Sequence, residues 1–483
     1  MTVLQNRVGG VKLFTLFGRF SLLSILSISV LYAGSFEDFK KAQSASYSKF
    51  KDPRDNGFND YLKAQWQEYQ AYITQPMYTQ PKPKQITPLA LKPVPKVGPN
   101  VLIRVPKEIN MDKEVPLKNK LAYDITLDFY GLRLGFNADK EIVKYKFYPY
   151  TQAGIAEFFS LLANSSYGVT INTIQTYQKQ LHLNDWAIYL LVERLANEIY
   201  SSRDEARIYQ WFLLTKLGFD VKIALSGSDV YLLHYIDKIV YQSPRYKFDN
   251  RYYYILSSYD KKAIKKIYTY KEKYPNATKA LDFSLKELPK FPKERVEKQR
   301  TFVYEGKEYT LRYTQNKNLL AFMKTYPQVD YSIYFNATMD MRTYREIATQ
   351  IKEVCDGKKM ADAMNLVLRF VQKSFVYKRD DVQFGQEKVM FADETLFYDA
   401  SDCEDRAVLY AQLVKRLFGV SAVGVKYSDH LTTALYIPMQ GDSVYFKHKR
   451  YVVADPTYVN ANIGESIPRY RSALPEKFIR LVY

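Results

Sequence analysis

Asp399-Ala400-Ser401-Asp402-Cys403-Glu404-Asp405-Arg406-Ala407 decides the fold, together with Tyr427-Ser428-Asp429-His430-Leu431 and Tyr451-Val452-Val453-Ala454-Asp455-Pro456-Thr457 downstream. Ser401 and Asp402 are N-cap types, and the apolar positions from Ala407 to Leu417 recur at helical spacing, so Cys403 falls in a first helical turn. Unpaired N–H groups and the helix dipole at that end favour thiolate over thiol and supply donors for a developing oxyanion. His430 sits between two apolar runs of strand type, a frame able to hold an imidazole against the sulfur. Asp455 ends the strand-like run Tyr451 to Ala454, where its carboxylate would fix the imidazole tautomer while Pro456 turns the chain away.

With those three motifs in the order Cys, His, Asp, the stretch from about Met360 to Pro468 resembles the transglutaminase-like superfamily, relatives of the papain-like cysteine peptidases. The resemblance implies an α+β fold with a papain-like, transglutaminase-like core at the C-terminus. It also implies catalytic roles for Cys403, His430 and Asp455. The chemistry expected is thiolate attack on an amide carbonyl, a thioester intermediate, and resolution by water or by a second amine. Hydrolysis of peptide or amide bonds is favoured, with protein cross-linking as the alternative outcome of the same triad. The family pattern often has Gly where this chain has Ser401. An oxyanion side chain is left open among Gln383, Phe384 and Tyr398 in the insertion from Lys378 to Ala400. Glu404, Asp405 and Arg406 are expected to serve helix structure through dipole contacts and ion pairs.

Working outward, the chain divides into a signal peptide at 1–33, an amphipathic helical segment at 34–74, and a Pro-rich linker at 75–106. A β-rich module at 107–165, a degenerate copy of the core at 166–257, a second β-rich module at 258–345 and the catalytic domain at 346–483 follow. The linker carries Pro76, Pro81, Pro83, Pro88, Pro93, Pro95 and Pro99, a composition that favours extended chain. Alternation in Tyr123 to Tyr130, and in Phe302 to Leu311 about Glu305-Gly306-Lys307, marks half-buried strands. Laying 201–230 over 401–430 without a gap matches Ser201, Leu213, Leu217, Ser228 and Asp229 with Ser401, Leu413, Leu417, Ser428 and Asp429. Arg203 and Val230 then face Cys403 and His430, and with a one-residue slip Leu256 faces Asp455, so the first copy is expected to be inert.

The basic start with Arg7, Lys12 and Arg19, the apolar stretch Phe20 to Tyr32, and Ala33 before Gly34 form a secretory leader pattern. A periplasmic or secreted bacterial protein is expected, with an uncleaved leader anchored in the inner membrane as the alternative. The formal charge of +19 attracts anionic partners without selecting one. A peptide or protein substrate in the cell envelope is expected, with anionic cell-wall material as a further candidate. No nucleic-acid module is recognisable, so no nucleic acid is expected. Neither a cofactor nor a metal is expected, because close Cys or His pairs of zinc-site spacing are missing. Cys355 and Cys403 are the only cysteines, and a disulfide between them is the alternative to a free nucleophile. A non-catalytic envelope scaffold is the alternative from another functional class.

Overall fold

The computed structural model describes residues 53–107, 123–256 and 264–482. The expected leader at 1–33 and the segment 34–52 lie outside those residues. Helices and antiparallel sheets share one large apolar core, with two smaller apolar clusters beside it against the two larger sheets, an α+β architecture.

In the first half, helix α1 (Pro53–Ala64) is followed at once by strand β1 (Trp66–Gln70), so the amphipathic stretch expected to be helical ends as a strand. The reason is tertiary. Trp66 pairs with Tyr270 across the sheet edge, and Phe58 on α1 packs edge-on against Phe159, Tyr270 and Tyr274, so aromatic contacts override local helix preference. A hairpin of β2 (Ile125–Phe129) and β3 (Leu132–Phe136) turns through Tyr130 and Gly131, both at positive φ, as a tight two-residue turn demands. Helices α2 (Gln152–Ala163), α3 (Tyr167–Leu181), α4 (Asp185–Ile199) and α5 (Arg203–Lys216) follow, the first of them inside the stretch 107–165 expected to be β-rich. Strands β4 (Val221–Ser226), β5 (Asp229–Tyr235), β6 (Arg245–Phe248), β7 (Arg251–Tyr254) and β8 (Lys266–Tyr270) complete a sheet of order β1-β8-β4-β5-β7-β6. The strand β8, assigned from sequence to the second β-rich module, therefore belongs to this first sheet.

The second half repeats that order. A hairpin of β9 (Arg295–Tyr304) and β10 (Lys307–Asn316) precedes helices α6 (Lys317–Met323), α7 (Tyr331–Phe335), α8 (Met341–Val354) and α9 (Met360–Lys373). After an insertion containing β11 (Val376–Tyr377), α10 (Asp380–Gln383), α11 (Ala392–Phe397) and β12 (Ala400–Ser401), helix α12 (Cys403–Phe418) begins. It leads into β13 (Ala422–Lys426), β14 (Leu431–Leu435), β15 (Ser443–Phe446), β16 (Lys449–Ala454) and β17 (Lys477–Arg480). Their sheet order, β17-β13-β14-β16-β15, is that of β8-β4-β5-β7-β6.

Strand register corrects the sequence alignment of the two halves. Gly218 and Gly419, both at positive φ, follow the ends of their helices one residue off the ungapped match, and the offset from β4 to β13 is likewise 201 rather than 200. The hairpin pair Ser226–Asp229 corresponds to Tyr427–His430, so Asp229, not Val230, stands in the place of His430. The turns Asp249-Asn250 and Lys447-His448, all at positive φ, correspond in the next hairpin, and the register from there carries Asp455 to Ser257 rather than Leu256. Ser257 lies outside the described residues. In the first half the places of the thiol and imidazole hold an ion pair, Arg203 Nη2 to Asp229 Oδ1 at 3.5 Å.

The segment 75–106 does not separate two bodies. It runs along the second half: Ile86 bridges Tyr458, Met360 N–H donates to Pro99 O, and Arg104 N–H donates to Leu417 O. Proline stiffness was legible, but the docking of the segment was not, because composition reports backbone preference and not destination.

Candidate functional site

Cys403 opens α12, His430 immediately precedes β14, and Asp455 immediately follows β16; their exposures are 0%, 0% and 2%. The helix start is pinned from several sides. Asp402 N–H donates to Asp405 Oδ2, Met390 N–H donates to Asp405 Oδ1, and the buried Arg406 donates to Ser401 Oγ and to the Gln372 and Phe375 carbonyls. Asp405 and Arg406 thus serve the structural roles expected for them.

His430 Nε2 and Asp455 Oδ2 lie 2.9 Å apart, and Asp455 Oδ1 accepts from the backbone N–H groups of Thr457 and Tyr458. The Tyr470 ring stacks on the imidazole at 5.0 Å and 18°, and Tyr427 stacks on Tyr470 in turn. Carboxylate and rings together fix the imidazole plane and leave Nδ1 as its free nitrogen, buried without a hydrogen-bond partner. The backbone of Leu431, the residue after His430, lies near enough to the Cys403 sulfur to favour its charged form. The thiol itself donates to Glu404 Oε2 at 3.1 Å, and no hydrogen bond joins it to His430 Nδ1.

Above the sulfur lies the Pro-rich segment. Tyr78 Oη is 3.8 Å from Cys403 Sγ and donates to Glu404 Oε2 at 3.0 Å. Lys82, 6% exposed, places its ammonium among Asp380 at 3.0 Å, Glu387 at 2.6 Å, Asp402 at 2.7 Å and Glu404 at 2.5 Å. Asp380 and Glu387 come from the insertion, which in the first half is reduced to the three residues between Ile199 and Arg203.

The electrostatics follow from burying so many carboxylates together. Burial would raise Glu404, but the Lys82 ammonium and hydrogen bonds from Asp402 and Cys403 hold it down to about 2. Burial and neighbouring carboxylates push Asp380 up to about 9, and push Asp402 and Asp405 well above the usual carboxylate range. Against burial, Glu404, Asp402 and Asp380 hold Lys82 in its charged form. Burial, then Glu404 and Asp402, push the Cys403 thiol well above its ordinary range, while Lys82 and the Leu431 N–H pull the other way. This overturns the expectation of a thiolate favoured by the helix dipole: desolvation and two adjacent carboxylates outweigh a half-charge at a helix end. Glu404, expected to be structural, is instead the partner of the thiol.

Cys355 and Cys403 are both free, so the disulfide alternative does not apply, and burial pushes Cys355 up to about 12. Of the oxyanion candidates, Gln383 Nε2 donates to Ala400 O, and Phe384 packs against Tyr398. None of the three hydrogen-bonds the sulfur, which Tyr78 Oη approaches to 3.8 Å. Ligand atoms of Asp380, Asp402 and Asp405, of Asp380, Glu387 and Glu404, and of Asp402, Cys403 and Glu404 lie within 4.8 Å of one another. Oxygen sets of this kind suit a hard cation, but here the Lys82 ammonium supplies the positive charge, and acidic clustering alone assigns no metal. A cavity of about 500 Å³ lies in the first half, lined by Glu193, Arg203, Arg207, Gln210 and the buried His234 among others. Burial lowers His234 to about 3, which keeps that imidazole neutral. Among the described residues no helix is long and apolar enough to cross a membrane.

No family model matches the chain, and no characterised protein or solved structure matches it.

Proposed function

We propose that this chain is an exported thiol acyl-transfer enzyme with a transglutaminase-like, papain-like core, held latent by its own Pro-rich segment. The observation that carries the proposal is the imidazole between two roles: Nε2 bonded to Asp455 at 2.9 Å, and Nδ1 buried without a partner, on the residue next to Leu431, whose backbone lies near the thiol.

In the active arrangement Cys403 gives its proton to His430 Nδ1, and the thiolate attacks an amide carbonyl, forming a C–S bond. Collapse of the tetrahedral intermediate breaks the C–N bond, and the imidazolium returns the proton to the departing amine. Water attacks the resulting thioester with His430 as base, releasing a carboxylic acid and restoring the thiol. A second amine in place of water gives a new amide by the same steps. Asp455 stabilises the imidazolium throughout. Reaching this arrangement requires the thiol to exchange Glu404 for His430, which displacement of Tyr78 and Lys82 permits.

Burial of the sulfur favours a second reading, an envelope scaffold that performs no chemistry. Incubating full-length Lys82→Ala protein with a casein digest and a fluorescent primary amine separates the outcomes. Acylated Cys403 seen by mass spectrometry, with new carboxyl termini or incorporated amine and neither in Cys403→Ala, supports acyl transfer. Unmodified Cys403 and unchanged peptides leave the scaffold.

A further inference from the structure

Resting on that acyl-transfer reading, we infer that residues 77–83 lie in the substrate groove as a tethered mimic. The Asp380, Glu387, Asp402 and Glu404 cage is then a subsite for a cationic side chain, and the substrate is an extended polypeptide presenting lysine or arginine there.

The segment is held by its backbone as an added peptide would be. Thr79 N–H and Gln80 N–H both donate to Ser428 O, at 3.1 and 3.2 Å, two residues from His430. Tyr377 Oη donates to Pro83 O at 2.7 Å, and Val459 N–H donates to Ile86 O at 3.0 Å, four residues from Asp455. Main-chain contacts carry no side-chain identity, so other extended peptides can make them. Identity enters through the side chains that point inward, and Lys82 is the one that bears a charge.

The cage exceeds what anchoring one lysine requires. An ammonium has three N–H donors, yet four carboxylates surround it, and Asp380 Oδ1 and Asp402 Oδ1 remain buried without partners. Four carboxyl groups around one site also accommodate a guanidinium, with five donors. The cage also keeps its guest charged, so Lys82 is recognised as a cation and does not act as an acyl acceptor. Because Glu404 bonds the thiol as well as the ammonium, occupancy of the cage is felt at the sulfur. A substrate cation would restore the charge balance that departure of Lys82 removes.

The test uses the full chain carrying Lys82→Ala, with Lys82→Arg as a folding control, and reads iodoacetamide labelling of Cys403 by mass spectrometry. An acetylated, amidated peptide of residues 76–86 is added, alongside the same peptide with norleucine in place of Lys82. Labelling of Lys82→Ala is expected to be faster than that of the parent, with Lys82→Arg close to the parent. The lysine peptide should restore protection at a concentration about a hundredfold or more below that of the norleucine peptide, the scale of losing one buried charge partner. Equal protection by both peptides, or none by either, overturns the subsite. The same labelling of Lys82→Ala/His430→Ala separates the two failures: a rate equal to that of Lys82→Ala would instead strike the acyl-transfer reading.

Discussion

Replacing Lys82 with Met keeps the apolar stem between Pro81 and Pro83 and removes the ammonium from the cage. Two routes give the stability lost. Removing one partner of a buried ion pair costs about 3–5 kcal/mol. Linkage sets a ceiling of the same size on what Glu404 can contribute, with Lys82 the largest of the groups that lower it: a folded value of about 2 against an ordinary 4.5 corresponds to about 3 kcal/mol. Asp380 and Asp402 add little to that loss, since both are raised and can hold protons when the ammonium is gone. The sign follows from the direction of the Glu404 shift. A depressed carboxyl contributes stability that is fully present above pH 4.5 and is lost as pH falls towards 2. Urea unfolding of parent and Lys82→Met at pH 7 should therefore differ by about 3 kcal/mol, and the difference should shrink to within about 1 kcal/mol near pH 2.5. A difference near zero at pH 7, or one that stays constant on acidification, would refute the electrostatic account of the cage.

Asp393, buried on the insertion, accepts from the Asp340 N–H; burial, with the Asp340 charge beside it, pushes it up to about 7. Its folded state holds a proton that the unfolded chain releases above pH 4, so it costs stability as pH rises from about 4 to 7. Asp393→Asn should flatten the melting temperature over that range, and an unchanged slope would count against the shift. Gly419, at φ +70°, ends α12 where a Cβ would meet the Arg104 guanidinium, so Gly419→Ala should cost about 1–2 kcal/mol in denaturant unfolding, mostly from the left-handed backbone. In the intact parent protein neither cysteine should react with iodoacetamide over minutes at pH 7, since burial raises both thiols; rapid labelling of Cys355 would contradict its packing at the end of α8.

Much of this arrangement was legible because it is local. The helix from Cys403, the turn at Glu305-Gly306 and the strand ending at Asp455 each announce themselves through spacing and turn chemistry within a dozen residues. The repeat was legible too, but an ungapped alignment could not see the extra residue between the helix start at Cys403 and Gly419, against Arg203 and Gly218, that moves Val230 aside for Asp229. Lys82 was not legible as a site residue. Its partners stand 298 to 322 positions away along the chain, and nothing in Pro81-Lys82-Pro83 names them. Met77 and Tyr78, a buried apolar residue and an aromatic inside a Pro-rich run, were the local signal that this segment packs. The protonation of Cys403 failed for a related reason: a helix dipole can be read from sequence, whereas desolvation and the carboxylates gathered beside the sulfur depend on the tertiary fold.

The rate of Cys403 modification by a thiol-directed acyl probe, compared between full-length Lys82→Ala and Lys82→Ala/His430→Ala, tests the central claim most directly. If the imidazole is the base for the released thiol, the first protein should label rapidly and the second about a hundredfold more slowly, the lower range of general-base assistance. Equal rates in the two proteins would mean that the sulfur, once uncovered, reacts without His430, and the triad would not be a catalytic unit.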